Sequence, residues 1–374
     1  MNFSIDELDY ERLRRAIESS LPDAEGIPRL VLLERASQKL GFMRLVRQLR
    51  SKLNNTLYAE IRSGNYVIDE LDNVSKKPIP PPHNDVTRIS VPTIGEELHA
   101  HQFSSLWQQA KAAKESIEFD FSSCKFLSQR GVAFLGGLAR LLEHNEKTVN
   151  FSWPSIKHSI RMNLNQNGFC SGFGKSIAPW QGNSVPYRED RYLDKDSLVS
   201  YLADDWLGRD WVHLSNGLRN AVASKVSEIY VNAFEHSLSP IGVFSCGQHY
   251  PNRRMVSLTV VDFGIGIPQK VRSYRGLPGI PAGTAVEWAF KRGTTTRTDG
   301  SGGGLGLDLL KQLVTLNGGS LTVLSQDGWA VILNRGEKYL SRQHCFEGTM
   351  ITITLRCDEA YYHLTDEDAN EPLF

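Results

Sequence analysis

Residues 299–313, DGSGGGLGLDLLKQL, constrain the fold more than any other stretch. Gly300, Gly302, Gly303, Gly304 and Gly306 come immediately before an apolar helical pattern. Glycines lacking a Cβ let the backbone approach a ligand closely. Backbone N–H groups at the start of the helix that follows have no intrahelical acceptors, so this loop can cradle an anion such as phosphate. Glycine-rich turns are common, and the loop alone does not specify a nucleotide. The chain has no GxxxxGK[ST] P-loop. Its glycines do not directly follow a strand, as a dinucleotide fingerprint requires.

The 374 residues suggest two or three domains. Lysine plus arginine and aspartate plus glutamate each number 42, so the net charge is zero. That balance gives no indication of nucleic-acid binding, although a local patch can still exist. Cys124, Cys170, Cys246, Cys345 and Cys357 are scattered and form no CxxC or Cys/His cluster. The pattern argues against a disulfide framework or a zinc site and for a reducing compartment. The N-terminus lacks an apolar signal core, and no apolar run approaches a membrane span. A cytoplasmic protein without membrane association is expected.

Three segments follow one another. Residues 1–74 read as helical, with Phe42, Leu45, Val46, Leu49 and Leu53 at amphipathic spacing. Arg44, Arg47, Arg50 and Lys52 fill the polar positions. A solvated face is the ordinary reading of such a stripe, and a nucleic-acid or partner surface is the alternative. The prolines of residues 75–85 stiffen a linker. Residues 86–174 alternate helix and strand, which argues for an α/β layer. Residues 175–210 read as a connecting region, 211–357 as an α+β sandwich of helices on a hairpin-built sheet, and 358–374 as a tail.

In EIYVNAFEHS, Glu228, Asn232 and His236 repeat at i, i+4 and i+8 and share one helix face. Ile229, Val231, Ala233 and Phe234 read as the packed side. A buried polar stripe needs partners, whereas a solvated one does not. Further on, VVDFGIGIP ends a strand in Asp262, with Gly264 and Gly266 flanking Ile265. A carboxylate at a buried strand end can accept from an exocyclic amine. Later still, Gly348-Thr349 opens a strand and offers a hydroxyl.

Taken in order, these stretches resemble the GHKL ATP-binding superfamily of type II topoisomerases, heat-shock chaperone ATPases, mismatch-repair ATPases, and histidine and anti-sigma kinases. NAFEHS resembles the N-box of the anti-sigma and sensor-kinase branch. DFGIGIP resembles the first glycine box, FKRGTTTRTDGSGGGLGLDLLK the lid and second glycine box, and Gly348-Thr349 the last box. The resemblance implies a Bergerat α/β sandwich that binds ATP with Mg2+. It assigns Asn232 to the metal and Asp262 to the adenine amino group, with Thr349 beside it. Gly264 and Gly266 leave room for base and ribose. Gly302, Gly303, Gly304, Leu305 and Gly306 line the phosphates. Lys291, Arg292, Thr294, Thr295 and Arg297 lie in the lid. Glu228 stands where hydrolytic members and anti-sigma kinases carry a general base and where many histidine kinases have asparagine. His236 reads as a packed helix residue.

Residues 86–170 resemble a STAS domain, the anti-sigma antagonist fold, but Gln129 occupies the usual phospho-accepting serine position and Ser128 the preceding aspartate position. Neither His158 nor His213 has the context of an H-box, which argues against a two-component histidine kinase. Three functions are compatible with these resemblances. The first is a nucleotide-dependent regulatory switch with Mg-dependent hydrolysis and a protein partner encoded nearby, with a homodimer as one expected assembly. The second is an anti-sigma-type serine/threonine kinase. The third is a non-enzymatic ATP-bound regulator of antitoxin or defence type.

Overall fold

The computed structural model describes residues 5–22, 26–63, 65–68, 72–76, 86–97, 99–175, 177–291, 306–343, 345–365 and 367. The chain divides into two compact units, residues 1–84 with 170–178, and residues 85–169 with 179–374.

The first unit runs α1 (Tyr10–Glu18), β1 (Ile27–Pro28), α2 (Arg29–Lys39), α3 (Arg47–Arg62), β2 (Tyr66–Ile68) and β3 (Asn73–Lys76). Asp9 caps α1 by accepting the Arg12 N–H. Leu13, Ile17, Leu32, Leu33, Leu49, Leu53 and Leu57 form its core. The strands pair antiparallel in the order β1-β3-β2. The expectation of a purely helical segment omits this sheet, because strands of 2, 3 and 4 residues are too short to display an alternating pattern.

The second unit begins with β4 (Val86–Ser90), α4 (Ala100–Ala112), β5 (Ser116–Asp120), α5 (Gln129–His144), β6 (Thr148–Phe151) and α6 (His158–Gln166). Its three strands are parallel in the order β4-β5-β6. A short helix, α7 (Phe169–Gly172), follows, of which residues 170–172 belong to the first unit. Then come β7 (Ser184–Asp190), α8 (Lys195–Ser200) running into a π-helical stretch at Tyr201–Trp206, β8 (His213–Leu214), α9 (Asn216–His236), β9 (Val243–Tyr250) and β10 (Met255–Asp262). The chain continues through α10 (Gly266–Arg275), α11 (Ala282–Ala289), α12 (Gly306–Asn317), β11 (Ser320–Ser325), β12 (Gly328–Leu333), β13 (Gly336–Ser341), β14 (Thr349–Arg356) and β15 (Tyr361–Tyr362).

Seven of these strands form an antiparallel sheet in the order β13-β12-β11-β14-β10-β9-β7. Edge strand β7 lies in the stretch read from sequence as a connection; its register with β9 shifts between Val185 and Arg188, around Pro186, which has no N–H to donate. Side chains alternate across the sheet. Val256, Leu258 and Val260 of β10 and Ile351, Ile353 and Leu355 of β14 join one core with Val222 and Val226 of α9 and Leu310 and Val314 of α12. The opposite face is covered by α5, which packs on β9 and β10. A Cβ on Gly137 of α5 would lie 2.3 Å from the Phe263 ring and 2.8 Å from Phe244. Among the described residues, no helix is long and apolar enough to cross a membrane.

Gly137→Ala tests this close approach. Alanine favours helix by about 1 kcal/mol over glycine, but here it must displace two packed aromatic rings. Overpacking of this kind costs about 1–3 kcal/mol. The variant is expected to melt below the parent in a calorimetric scan, against the propensity trend.

Candidate functional site

One transverse row of the sheet carries the site. Asp262 of β10 is the register partner of Thr349 of β14, and Thr349 is in turn the partner of Ser325 of β11. Opposed residues share a face. The three continue the columns of Val260, Ile351 and Val323, so they point towards the α9 and α12 side. All three are buried. Ser325 Oγ lies 2.9 Å from Thr349 Oγ1 and donates to the Gly348 carbonyl at 2.9 Å, while accepting the Ile267 N–H at 2.8 Å. The row is thereby fixed by hydrogen bonds from three chain segments.

Backbone approaches around it are so tight that only glycine fits. A Cβ on Gly264 would sit 1.9 Å from the Ser237 carbonyl, which already accepts the Ile265 N–H at 2.7 Å. Gly348, at φ 134, would place a Cβ 2.1 Å from the Asp262 carbonyl. Gly266 takes the left-handed region at φ 71 and opens α10. The Gly264 N–H donates to Asp262 Oδ1 at 3.0 Å. Burial raises the Asp262 carboxyl from 3.8 to about 7, with the Gly264 and Thr349 backbone N–H groups pulling the other way.

Helix α9 is capped by Ser215, whose hydroxyl accepts the Leu218 N–H at 3.0 Å. Its buried positions include Val222, Val226, Ile229, Tyr230 and Ala233. Val231 and Phe234, read from sequence as packed, are only half-buried. Glu228 is partly exposed and accepts from Lys225 Nζ at 2.8 Å. Asn232 is exposed. The C-cap of α9, Ser237, is the residue that meets the Gly264 turn. It lies five positions beyond Asn232, roughly 7.5 Å along the axis. Helix α12, opened by Gly306, packs beside α9.

Asp262, Gly264, Gly266 and Thr349 are thus brought together. Glu228 and Asn232 stand on the neighbouring helix, and among the described residues no hydrogen bond joins them to the Asp262 row. Arg292, Thr294, Thr295, Arg297, Gly302, Gly303, Gly304 and Leu305 lie outside the described residues. Lys291 pairs with Glu287 at 3.2 Å. Sequence reasoning missed Ser325 and Ser237. Ser325 had a signal, since it ends the alternating Leu321, Val323 column; Ser237 had none, because its role is a carbonyl contact. The stretch between Gly266 and the lid contains α10 and α11. Their punctuation was present in the sequence: Pro268 in the first turn, Gly276 in the left-handed conformation after α10, and Pro281 before α11.

Residues 217–366 match the family described as histidine kinase-, DNA gyrase B- and HSP90-like ATPases. The C-terminal region is a GHKL domain. Comparison with curated proteins finds no match. The GHKL match does not extend to residues 86–170. There Gln129 is buried and accepts from the Tyr250 hydroxyl at 2.7 Å.

The Asp262 carboxyl sets a pH dependence of stability. Below about pH 4 it is protonated whether folded or unfolded and costs nothing. Between pH 4 and about 7 the unfolded chain ionises first, so the folded state loses stability as pH rises, by about 4 kcal/mol at most. Asp262→Asn removes this cost. The variant is expected to be more stable than the parent at pH 8, with the difference shrinking to near zero by about pH 3.5, as read by denaturant titration.

Proposed function

We propose that the GHKL domain seats ATP with its adenine on the Asp262 row and its phosphates before α12, and that binding and slow hydrolysis operate a regulatory switch. The observation that carries this reading is the buried Asp262–Thr349–Ser325 row, closed by glycines that admit no side chain. A carboxylate held there can accept from an exocyclic amine in a site shielded from water. The N–H groups of the first turn of α12 suit phosphate oxygens.

Among the described residues no group of three or more His, Cys, Asp and Glu could hold a metal by itself. Mg2+ does not need one, because it commonly keeps waters and takes phosphate oxygens beside one or two protein ligands. The Asn232 amide oxygen, exposed on α9, fits as that ligand, and the ion would neutralise phosphate charge. Glu228 is the candidate general base. It has to exchange its Lys225 partner for the attacking water or hydroxyl.

A switch also needs a connection to the rest of the unit. Phe263, next to Asp262, packs with Trp107 of α4, Phe134 of α5 and Phe346 at ring-centroid distances of 6.1, 5.4 and 5.7 Å. Nucleotide binding would press on this cluster and so on the middle α/β layer, where a protein partner would read the change. The NAFEHS form of the α9 motif favours a second reading, transfer of phosphate to a protein serine or threonine. Radiolabelled ATP separates the two: label on protein marks a kinase, and label in free phosphate alone marks an ATPase.

Two variants separate binding from chemistry. Asp262→Asn is expected to weaken ATP binding tenfold or more, because a charge-assisted hydrogen bond worth about 1.5–3 kcal/mol is lost. Glu228→Ala is expected to bind ATP as the parent does and to turn over about 10²–10⁴-fold more slowly. Calorimetry gives the affinities and phosphate release the rates. Parent-like turnover by Glu228→Ala would reduce Glu228 to a helix residue, and parent-like affinity of Asp262→Asn would remove adenine from the Asp262 row.

A further inference from the structure

We propose that the N-terminal unit is a helix-turn-helix module that binds double-stranded DNA through α3. The first observation is topological. The element order α1-β1-α2-α3-β2-β3, with sheet order β1-β3-β2, places a two-helix turn directly before a β-hairpin. In a helix-turn-helix the second helix enters the major groove and its N-terminal residues reach base edges.

The connection between α2 and α3 is built to hold α3 in place. Gly41 takes φ 87 after α2, and its N–H donates to the Gln38 carbonyl at 2.9 Å. The buried Ser37 anchors the turn: its carbonyl accepts the Phe42 N–H at 3.0 Å, and its hydroxyl contacts the carbonyls of Phe42 and Arg44 at 3.4 Å each. Leu49, Leu53 and Leu57 of α3 are fully buried, which fixes the helix's inward face.

The second observation is charge. From residue 35 to residue 59 the sequence holds Arg35, Lys39, Arg44, Arg47, Arg50 and Lys52 and no aspartate or glutamate. In a chain of zero net charge this is a local concentration. Elsewhere in the unit Arg14 pairs with Glu11 and Glu18, and Arg29 with Asp72. Arg44, Arg47 and Arg50 are exposed, and among the described residues no carboxylate pairs with them.

The third is the chemistry of the outward face. At 100° per residue, Arg47, Ser51 and Asn55 lie opposite the buried leucines, and all three are exposed. Arginine and asparagine read guanine and adenine edges in the major groove, and hydroxyls bond bases or phosphates. The 16 residues of α3 span about 24 Å, and the groove admits one helix. A merely solvated basic face does not require the turn, the hairpin and the missing carboxylates together.

Fluorescence anisotropy of the full-length protein with a fluorescein-labelled 24-base-pair duplex of random sequence provides the test. Binding is expected with Kd of about 10⁻⁴–10⁻⁶ M near physiological salt, weakening steeply as KCl rises. The triple variant Arg44→Ala, Arg47→Ala, Arg50→Ala should bind at least tenfold more weakly. Its salt slope should fall by up to about 2.7, since each lost phosphate contact removes about 0.9. Arg335→Ala with Lys338→Ala, exposed cations of β12–β13, should bind as the parent does. A melting scan verifies that the triple variant is folded, and photocrosslinking of iodouracil duplex to α3 peptides of the unaltered protein tests the same face without mutation. No anisotropy change at 50 mM KCl, equal binding by parent and triple variant, crosslinks confined to other peptides, or preferential competition by a single-stranded RNA of equal length would each overturn the proposal.

Discussion

Strand β10 is buried on both faces, and the architecture of the second unit follows from that. An antiparallel sheet commonly keeps one face wet. Here α9 and α12 cover one side of the central strands and α5 the other. With water excluded, every polar side chain on β10 needs a partner. On the α5 side Ser257 bonds Thr354 at 2.8 Å and Thr259 bonds Thr352 at 2.9 Å, straight across the β10–β14 ladder. Arg130 of α5 reaches the same ladder, donating to Thr352 at 3.2 Å and to the Glu96 carbonyl. On the α9 side the only carboxylate of the strand is Asp262, at the end where the glycine turn begins. A fully buried strand thus makes a polar end-row costly.

Much of this was legible in the sequence. The strands of the GHKL sheet that are buried announced themselves as Val/Ile/Thr-rich runs, and α5, α6, α9 and α12 as periodic stretches with recognisable ends. The Asp262 turn was readable because two glycines at alternate positions follow a strand-ending acid. What stayed hidden has physical causes. Strand β13, GEKYLS, is largely exposed and lacks alternation, so it carried no pattern. Strand β7 includes Pro186, a residue that reads as a break everywhere except on an edge. The sheet of the N-terminal unit consists of strands two to four residues long, held by register to β3 and not by local propensity. Likewise, the amphipathic spacing around Leu49 and Leu53 showed a buried face, but only the fold shows that the opposite face belongs to the second helix of a helical turn.

The aromatic cluster gives the proposed switch its means of transmission. Phe263 separates Asp262 from Gly264, and Phe346 stands two residues before Gly348. Both ends of the Asp262–Thr349 pair therefore terminate in rings packed against Phe134, at 5.4 and 5.1 Å between centroids. The segment leading to Thr349 is tied to α4 as well, through Lys111–Glu347 at 2.9 Å and the Cys345 thiol on the Ala100 carbonyl at 3.2 Å. Magnitudes decide which link matters. The Lys111–Glu347 pair is about half exposed, and such pairs contribute about 0–1 kcal/mol. Each buried aromatic pair contributes about 0.5–1.5 kcal/mol beyond its area burial, and the cluster contains several. A close-packed interior transmits displacement because it cannot absorb it. A ligand that shifts Asp262 relative to Thr349 must therefore repack Phe134 and Trp107 and, through them, α5 and α4. The coupling runs through rings and not charges, so it should persist at salt concentrations that screen every surface ion pair on the unit.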